Sequence, residues 1–153
     1  MDAKDRKKRL QLLLERQAII NKNAQINPCF EECIDALGEN TIIYSQDKSQ
    51  KIYKDFSSEY KITFYGRIQW SAYDYSEINA KDIKNNKVGI DSANEAYVLW
   101  SHGSDPVIRT TLKAAFNNFD LLSALSPDIW LYEPHKFVIE IFHDGIMRVL
   151  RKK

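Results

Sequence analysis

An α+β domain built on a mostly antiparallel sheet is the fold class this sequence predicts, and three observations predict it. First, the segment from Asp128 to Leu150 (DIWLYEPHKFVIEIFHDGIMRVL) holds an aromatic-rich strand at Ile129–Tyr132. Two strand-like runs follow, Phe137–Phe142 and Ile146–Leu150, and they flank His143-Asp144-Gly145 as a C-terminal β-hairpin. Second, helical and strand-like periodicities interleave along the rest of the chain, while the clearest strand pair is antiparallel. Third, 153 residues with 44% hydrophobic and 28% charged side chains, no repeat and no low-complexity tract fit one ordinary globular domain. A chain of this length buries roughly 68–70% of its unfolded surface, so it needs neither disulfide nor metal to fold.

The elements follow in order. Ala3 to about Ala24 lacks Gly and Pro and sets Leu10, Leu13, Leu14, Ala18, Ile20 and Ala24 in a ragged apolar stripe, which predicts a helix. Residues 1–26 thus form a basic helical extension ahead of a single domain at 27–153. Asn27-Pro28 breaks the helix, because the residue before proline avoids helical angles. Cys29 to Leu37 is a second, short helix, opened by Asn27 or Pro28 and closed by Gly38 in the C-terminal capping position. Thr41–Tyr44 is a short strand. Ile52, Phe56 and Tyr60 fall on one helical face of Ser49–Tyr60. Lys61–Trp70 alternates as a strand with a bulge or close approach at Gly66.

Residues 71–95 are polar and aperiodic. They predict a long loop with a helical turn near Ser76 to Lys84, and loops of that length are usually functional or mobile. Ala96–Ser101 is a buried strand. Pro106 opens a helix to about Phe119, with Asp105 as its N-cap and Ile108, Leu112, Ala115 and Phe119 aligned. The final strand and hairpin complete a sheet packed by helices.

Charge is uniform only in sum. The whole chain carries +1, but residues 1–24 hold seven basic side chains against three acids, and Arg148, Arg151, Lys152 and Lys153 add four more. Residues 25–147 hold 11 Lys and Arg against 18 Asp and Glu, a net of −7. An acidic body repels phosphate backbones and steers basic proteins toward itself; the other reading is that the charge keeps the domain soluble. No secretory pattern begins the chain and no stretch approaches the ~18 apolar residues of a membrane span, so the expected compartment is the cytosol.

Chemistry is thinly represented. Cys29 and Cys33, four apart, share a helix face and are expected to be buried and reduced, since no second pair completes a zinc site. Glu140 and His143 are three apart on a strand, which sends them to opposite faces and prevents their sharing a metal. Ser101-His102-Gly103-Ser104-Asp105 offers a histidine, two hydroxyls and a carboxylate between strand and helix. Such a loop needs Ser, Gly and Asp in any case, and triads are recognised by geometry. The phosphate-loop, dinucleotide and zinc-protease motifs do not occur. Phe64, Tyr65 and Arg67 form only a weak nucleic-acid footprint, with one arginine. No cofactor and no metal are expected.

The candidate interaction residues lie in the polar loop. Tyr73-Asp74-Tyr75-Ser76-Glu77 joins two aromatics to two carboxylates, the pairing expected of a hot spot facing a basic partner. The competing reading has Tyr73 and Tyr75 closing the edge of the core. Asp82, Asp91 and Glu95 extend the candidate set along the loop. Trp70, Trp100 and Trp130 are expected in the core.

FEECIDALG (Phe30–Gly38), YGRIQW (Tyr65–Trp70), YVLW (Tyr97–Trp100) and above all DIWLYEPHKFVIEIFHDG (Asp128–Gly145) resemble the immunity proteins of bacterial contact-dependent growth inhibition systems. The blocks keep order and spacing over roughly residues 28–150, and W-L-Y-x-P followed by V-I-E-[FI]-x-H-[ED]-G is the most specific. The resemblance implies a small cytosolic protein, not an enzyme, that binds one cognate toxin domain and blocks it. In such systems many toxins are nucleases, often acting on transfer RNA, which suits a basic toxin partner; the expected mechanism is occlusion, the acidic, tyrosine-bearing surface docking over the toxin's active site. The matching blocks are sheet and core, so no contact residues transfer, and the first 26 residues fall outside them. An inhibitor acting away from the toxin's catalytic centre, a small hydrolase using the His102 loop and a scaffold dimerising through the N-terminal helix are the alternatives; a monomer or weak dimer is expected.

Overall fold

The computed structural model describes residues 3–22, 29–79, 88–101 and 105–152. Among them, five helices surround a seven-stranded sheet. The helices are α1 (Ala3–Lys22), α2 (Phe30–Leu37), α3 (Gln46–Glu59), α4 (Leu112–Asn117) and α5 (Phe119–Leu125). The strands are β1 (Ile42–Ile43), β2 (Ser76–Asn79), β3 (Glu95–Trp100), β4 (Ile108–Thr111), β5 (Ile129–Glu133), β6 (Phe137–Ile141) and β7 (Ile146–Arg151). The spatial order is β1-β4-β3-β5-β6-β7-β2, and every neighbouring pair is antiparallel. The fold is α+β and carries the C-terminal hairpin that the sequence predicts.

Strand alternation divides the interior into two cores. On one side Ile129, Leu131, Ile139 and Val149 meet Phe30 and Ile34 of α2, Leu112 of α4 and Leu122 of α5. On the other, Trp130, Tyr132, Val138 and Leu150 meet Ile52 and Phe56 of α3, then Tyr60, Ile68 and Trp70. Each fully buried side chain of this size contributes about 1.5–3 kcal/mol, so covering both faces is what fixes β5 and β6 at the centre. The three tryptophans are core, as the sequence predicts.

Local chemistry sets the boundaries. Phe30, Cys33, Ile34 and Leu37 line the buried face of α2, and Gly38 N–H closes it on Ile34 O at 3.2 Å. Ser45 caps α3 by accepting Lys48 N–H at 3.3 Å, so the helix begins three residues before the apolar spacing alone indicates. His143-Asp144-Gly145 is a three-residue hairpin loop ending in a glycine at φ 84°, where a Cβ would be strained.

Several expectations are corrected. Pro106 opens no helix: Val107 and Ile108 are extended, and β4 pairs with both β1 and β3. The segment is held by Trp100 Nε1–H to Pro106 O at 2.8 Å and Val107 N–H to Ser49 Oγ at 3.0 Å. Val107 and Ile108 enter opposite cores, so burial on two faces overrides the helical spacing, and Thr111 rather than Asp105 caps the helix that follows. Ser76–Asn79 is an edge strand on β7, not loop or helical turn, because β7 offers it an open row of backbone donors and acceptors. Residues 80–84 lie outside the described part. Lys61–Trp70 folds back as a small hairpin instead of running as one strand. Cys33 is buried but Cys29 is exposed, since it precedes the first turn of α2.

In α1, Leu10, Leu13 and Leu14 are exposed, and Arg9 pairs with Glu39. No helix among the described residues is long and apolar enough to cross a membrane.

One carboxylate ties α3 to the end of the hairpin. Glu59 accepts from Tyr132 Oη at 2.8 Å, His135 N–H at 3.1 Å and Lys152 Nζ at 2.9 Å. Burial alone raises its pKa, but the contacts with Lys152, Tyr132 and His135 outweigh burial and hold it below the ordinary 4.5. A carboxyl depressed in the folded state stabilises the fold above 4.5, and that contribution disappears as pH falls from 4.5 through the lower folded value. Glu59→Gln is therefore expected to give a shallower loss of stability in that acid window, read from urea midpoints at stepped pH. A variant as acid-sensitive as the native protein would assign the effect to other carboxylates.

Candidate functional site

Across β5, β6, β7 and β2, on the α3 side of the sheet, four side chains stand in one cross-strand row: Trp130, Glu140, Arg148 and Glu77. Glu140 is 1% exposed and is the most heavily bonded group on this face. Its Oε1 accepts from Arg67 Nε at 3.1 Å, Arg67 Nη2 at 2.8 Å and Trp70 Nε1 at 2.9 Å. Its Oε2 accepts from Ile68 N–H at 3.0 Å and Trp130 Nε1 at 2.9 Å. Five N–H donors suit a carboxylate, which only accepts, and they fill it. The Arg67 guanidinium also lies 3.8 Å from the centre of the Phe142 ring.

Glu140 thereby clamps the hairpin at residues 61–69 to the sheet. Ile62 and Ile68 bridge, Gln69 N–H reaches Lys61 O at 2.8 Å, and Thr63 N–H reaches Arg67 O at 2.7 Å. Thr63 Oγ1 donates to Arg67 O and accepts Arg67 N–H. The loop is Phe64-Tyr65-Gly66, with Gly66 at φ 86°, the same construction as His143-Asp144-Gly145. Phe64 is 100% exposed and Tyr65 63%, their rings meeting edge to face at 5.1 Å. Beside them an open cavity of about 220 Å³ is lined by Tyr65, Arg67, Trp70, Tyr75 and Arg148, among others. Arg148 Nε binds Glu77 at 3.2 Å, whereas its buried Nη1 has no hydrogen-bond partner among the described residues.

The structure divides the predicted interaction residues. Tyr73, Asp74, Tyr75 and Glu77 run together along the β2 edge next to this cavity. Asp74, Tyr75 and Glu77 are exposed, while half-buried Tyr73 accepts Lys61 N–H through its hydroxyl at 2.9 Å and packs against Tyr60. Tyr75 leans on Trp70 with ring centres 5.0 Å apart. Both tyrosines therefore trim the core edge, and Tyr75 also faces solvent. Glu95 is in β3, four strands from β2 and so roughly 19 Å away at the usual strand spacing. It pairs with Arg109, which binds Glu133 at 2.6 Å. Asp91 turns its carboxylate onto Ala93 N–H at 2.9 Å, closing a local turn. Asp82 lies outside the described residues, as does the His102 loop.

Elsewhere, His143 Nδ1 sits 3.0 Å from Asp128 Oδ1, which also accepts the His143 backbone N–H at 2.8 Å. The histidine thus turns away from Glu140, as strand alternation requires, and serves the hairpin turn. Among the described residues no group of His, Cys, Asp and Glu could hold a metal ion. Burial pushes the Cys33 thiol up to about 12, with help from Asp105 and Glu32, so it is a poor nucleophile.

Sequence reasoning missed the Glu140 cluster, whose donors come from two segments distant in sequence, residues 67–70 and Trp130. The signal was present as one acid inside the apolar run F-V-I-E-I, at a position that alternation turns inward. A protein-family model described as CdiI immunity protein EcoliA0-like matches residues 27–150, beginning after α1. No curated protein matches the chain.

Proposed function

The chain belongs to the CdiI immunity protein family, and from that premise we propose that it neutralises one cognate toxin domain by stoichiometric binding. The toxin is a basic domain, a nuclease directed at transfer RNA, and the immunity protein covers its active site. The observation that carries this reading is the exposed β2 edge, where Asp74, Tyr75 and Glu77 present two carboxylates beside an aromatic ring. The acidic body supports it: a net of −7 over residues 25–147 draws a basic domain in by long-range attraction. Tyr73 contributes by holding the edge in place. Asp91 and Glu95 supply long-range attraction, because Asp91 is turned onto Ala93 N–H and Glu95 stands four strands away in β3; Asp82 completes the acidic set. Binding of this kind is not enzymatic and needs neither cofactor nor metal. Residues 1–26 serve as an extension to the domain at 27–153, and the protein acts as a monomer or weak dimer in the cytosol.

The test is co-purification with the tagged C-terminal domain encoded by the gene immediately upstream. A 1:1 complex that silences a toxic, RNA-degrading activity is expected. Asp74→Lys with Glu77→Lys is then expected to weaken the complex by about 1–3 kcal/mol, mostly through slower association at low salt, without unfolding the domain. Unaltered protection would take the contact off this edge, and absence of any complex would remove the immunity reading.

A further inference from the structure

The hairpin at residues 61–69 presents an apolar ring at a cost that the fold does not require. The chain's other six phenylalanines are buried or half-buried, yet Phe64 is wholly exposed. A mobile loop could tuck such a ring away. This loop cannot, because the Thr63–Arg67 bonds, the left-handed Gly66 and the Glu140 clamp hold its stem in place. Tyr65 and Tyr75 stand around the adjoining cavity, and Arg148, which also lines it, has a buried Nη1 with no hydrogen-bond partner among the described residues. The patch is therefore rigid and apolar at its tip, with a donor still unmatched at its base. Aromatic rings held this way bind with little ordering entropy to lose, which is the property of an interface anchor.

We propose that Phe64 is the anchor by which this protein engages its toxin domain, entering an apolar recess on the partner whose rim is basic. The inference rests on the immunity reading and names the residue that dominates its contact. A protein partner is favoured over a nucleic acid because Arg67 is turned inward to Glu140, and Arg148 offers only a buried Nη1 once its Nε has paired with Glu77. The exposed Asp74 beyond them, with Glu77 offsetting the charge of Arg148, leaves the patch with the wrong sign for phosphate and the right one for a basic rim.

The experiment is calorimetric titration of the full-length protein with the toxin domain separated from its native complex, with thermal unfolding and sedimentation run in parallel. Phe64→Ala is expected to weaken binding by about thirtyfold, roughly 2 kcal/mol, with an unchanged melting temperature. Phe64→Leu should recover part of the loss, and Lys113→Ala on α4, across the sheet, should bind as the native protein does. Tight binding by Phe64→Ala alongside a binding native protein overturns the anchor and leaves the immunity reading standing. A native protein that does not bind the toxin domain overturns both. Loss of self-association, or of binding to single-stranded RNA, as the sole effect of Phe64→Ala would assign the ring to a second copy or to nucleic acid and also overturn the proposal.

Discussion

Glu140→Ala is expected to lower the stability of the domain by about 3–5 kcal/mol, the cost of breaking a buried charge pair from one side. Five hydrogen bonds end on this carboxylate, and its removal strands two indole N–H groups, one backbone N–H and the Arg67 guanidinium. Arg67 is 16% exposed and can regain some water, which favours the lower end of the range; Trp70, Trp130 and Ile68 cannot. For a chain of 153 residues the change corresponds to roughly 10 °C in melting temperature. Glu140→Gln should fall between, because it keeps one acceptor but turns an NH2 group toward donors. Urea unfolding of both variants measures the difference, and a loss below about 1 kcal/mol for Glu140→Ala would mean that the cluster is incidental to stability. The same variant should loosen the hairpin at 61–69, and protection against the toxin should fall further than the unfolded fraction accounts for.

Phe56→Ala carries the second large effect, again about 3–5 kcal/mol. Phe56 is 2% exposed and is the aromatic contact of α3 with the centre of the sheet, with ring centres 5.0 Å from Trp130 and 5.1 Å from Tyr132, and 5.6 Å from Tyr60. Truncation forfeits the transfer energy of the ring and leaves a void among three large aromatics that cannot collapse onto it. Ring-to-ring contacts of this geometry add about 0.5–1.5 kcal/mol each beyond burial. Phe56→Leu should cost much less, since most of the volume remains. The near-ultraviolet circular dichroism of the tryptophans should change with Phe56→Ala even where the protein remains folded. If both variants unfold at the same urea concentration, the aromatic cluster is not what holds α3.

Where a rule acts over a few residues, the fold was legible in the sequence. The hairpin at Phe137–Leu150 needed only alternation and His143-Asp144-Gly145, and α2 needed only four apolar positions and a glycine. Elements decided by distant partners were not. β2 has one apolar residue in four and becomes a strand because β7, some seventy residues on, supplies its ladder. β4 follows a proline and carries helical spacing, yet two cores claim its side chains. The candidate site shows the same division. Tyr73, Asp74, Tyr75 and Glu77 are adjacent in the chain and remain adjacent in space, whereas Asp91 closes a turn onto Ala93 and Glu95 is taken by Arg109 from the neighbouring strand, a bond that no local pattern announces. In the sequence Phe64, Tyr65 and Arg67 form a weak nucleic-acid footprint, and Tyr65 and Arg67 also belong to the YGRIQW block. Their roles separate once Arg67 turns inward to Glu140 and the two rings stay outside.

Among the described residues the sheet ends on both sides in very little strand. β1 has two residues and β2 four, and β2 exposes Ser76, Glu77 and Asn79. Short margins, one of them carrying Glu77, are poor templates for another copy's backbone, and long flat ones nucleate fibrils and tangled oligomers. For an immunity protein, indiscriminate strand pairing between copies would deplete the reserve able to meet a toxin. Stunted margins keep that reserve dispersed, and they leave the recognition of strangers to side chains, which can discriminate, instead of to main chain, which cannot.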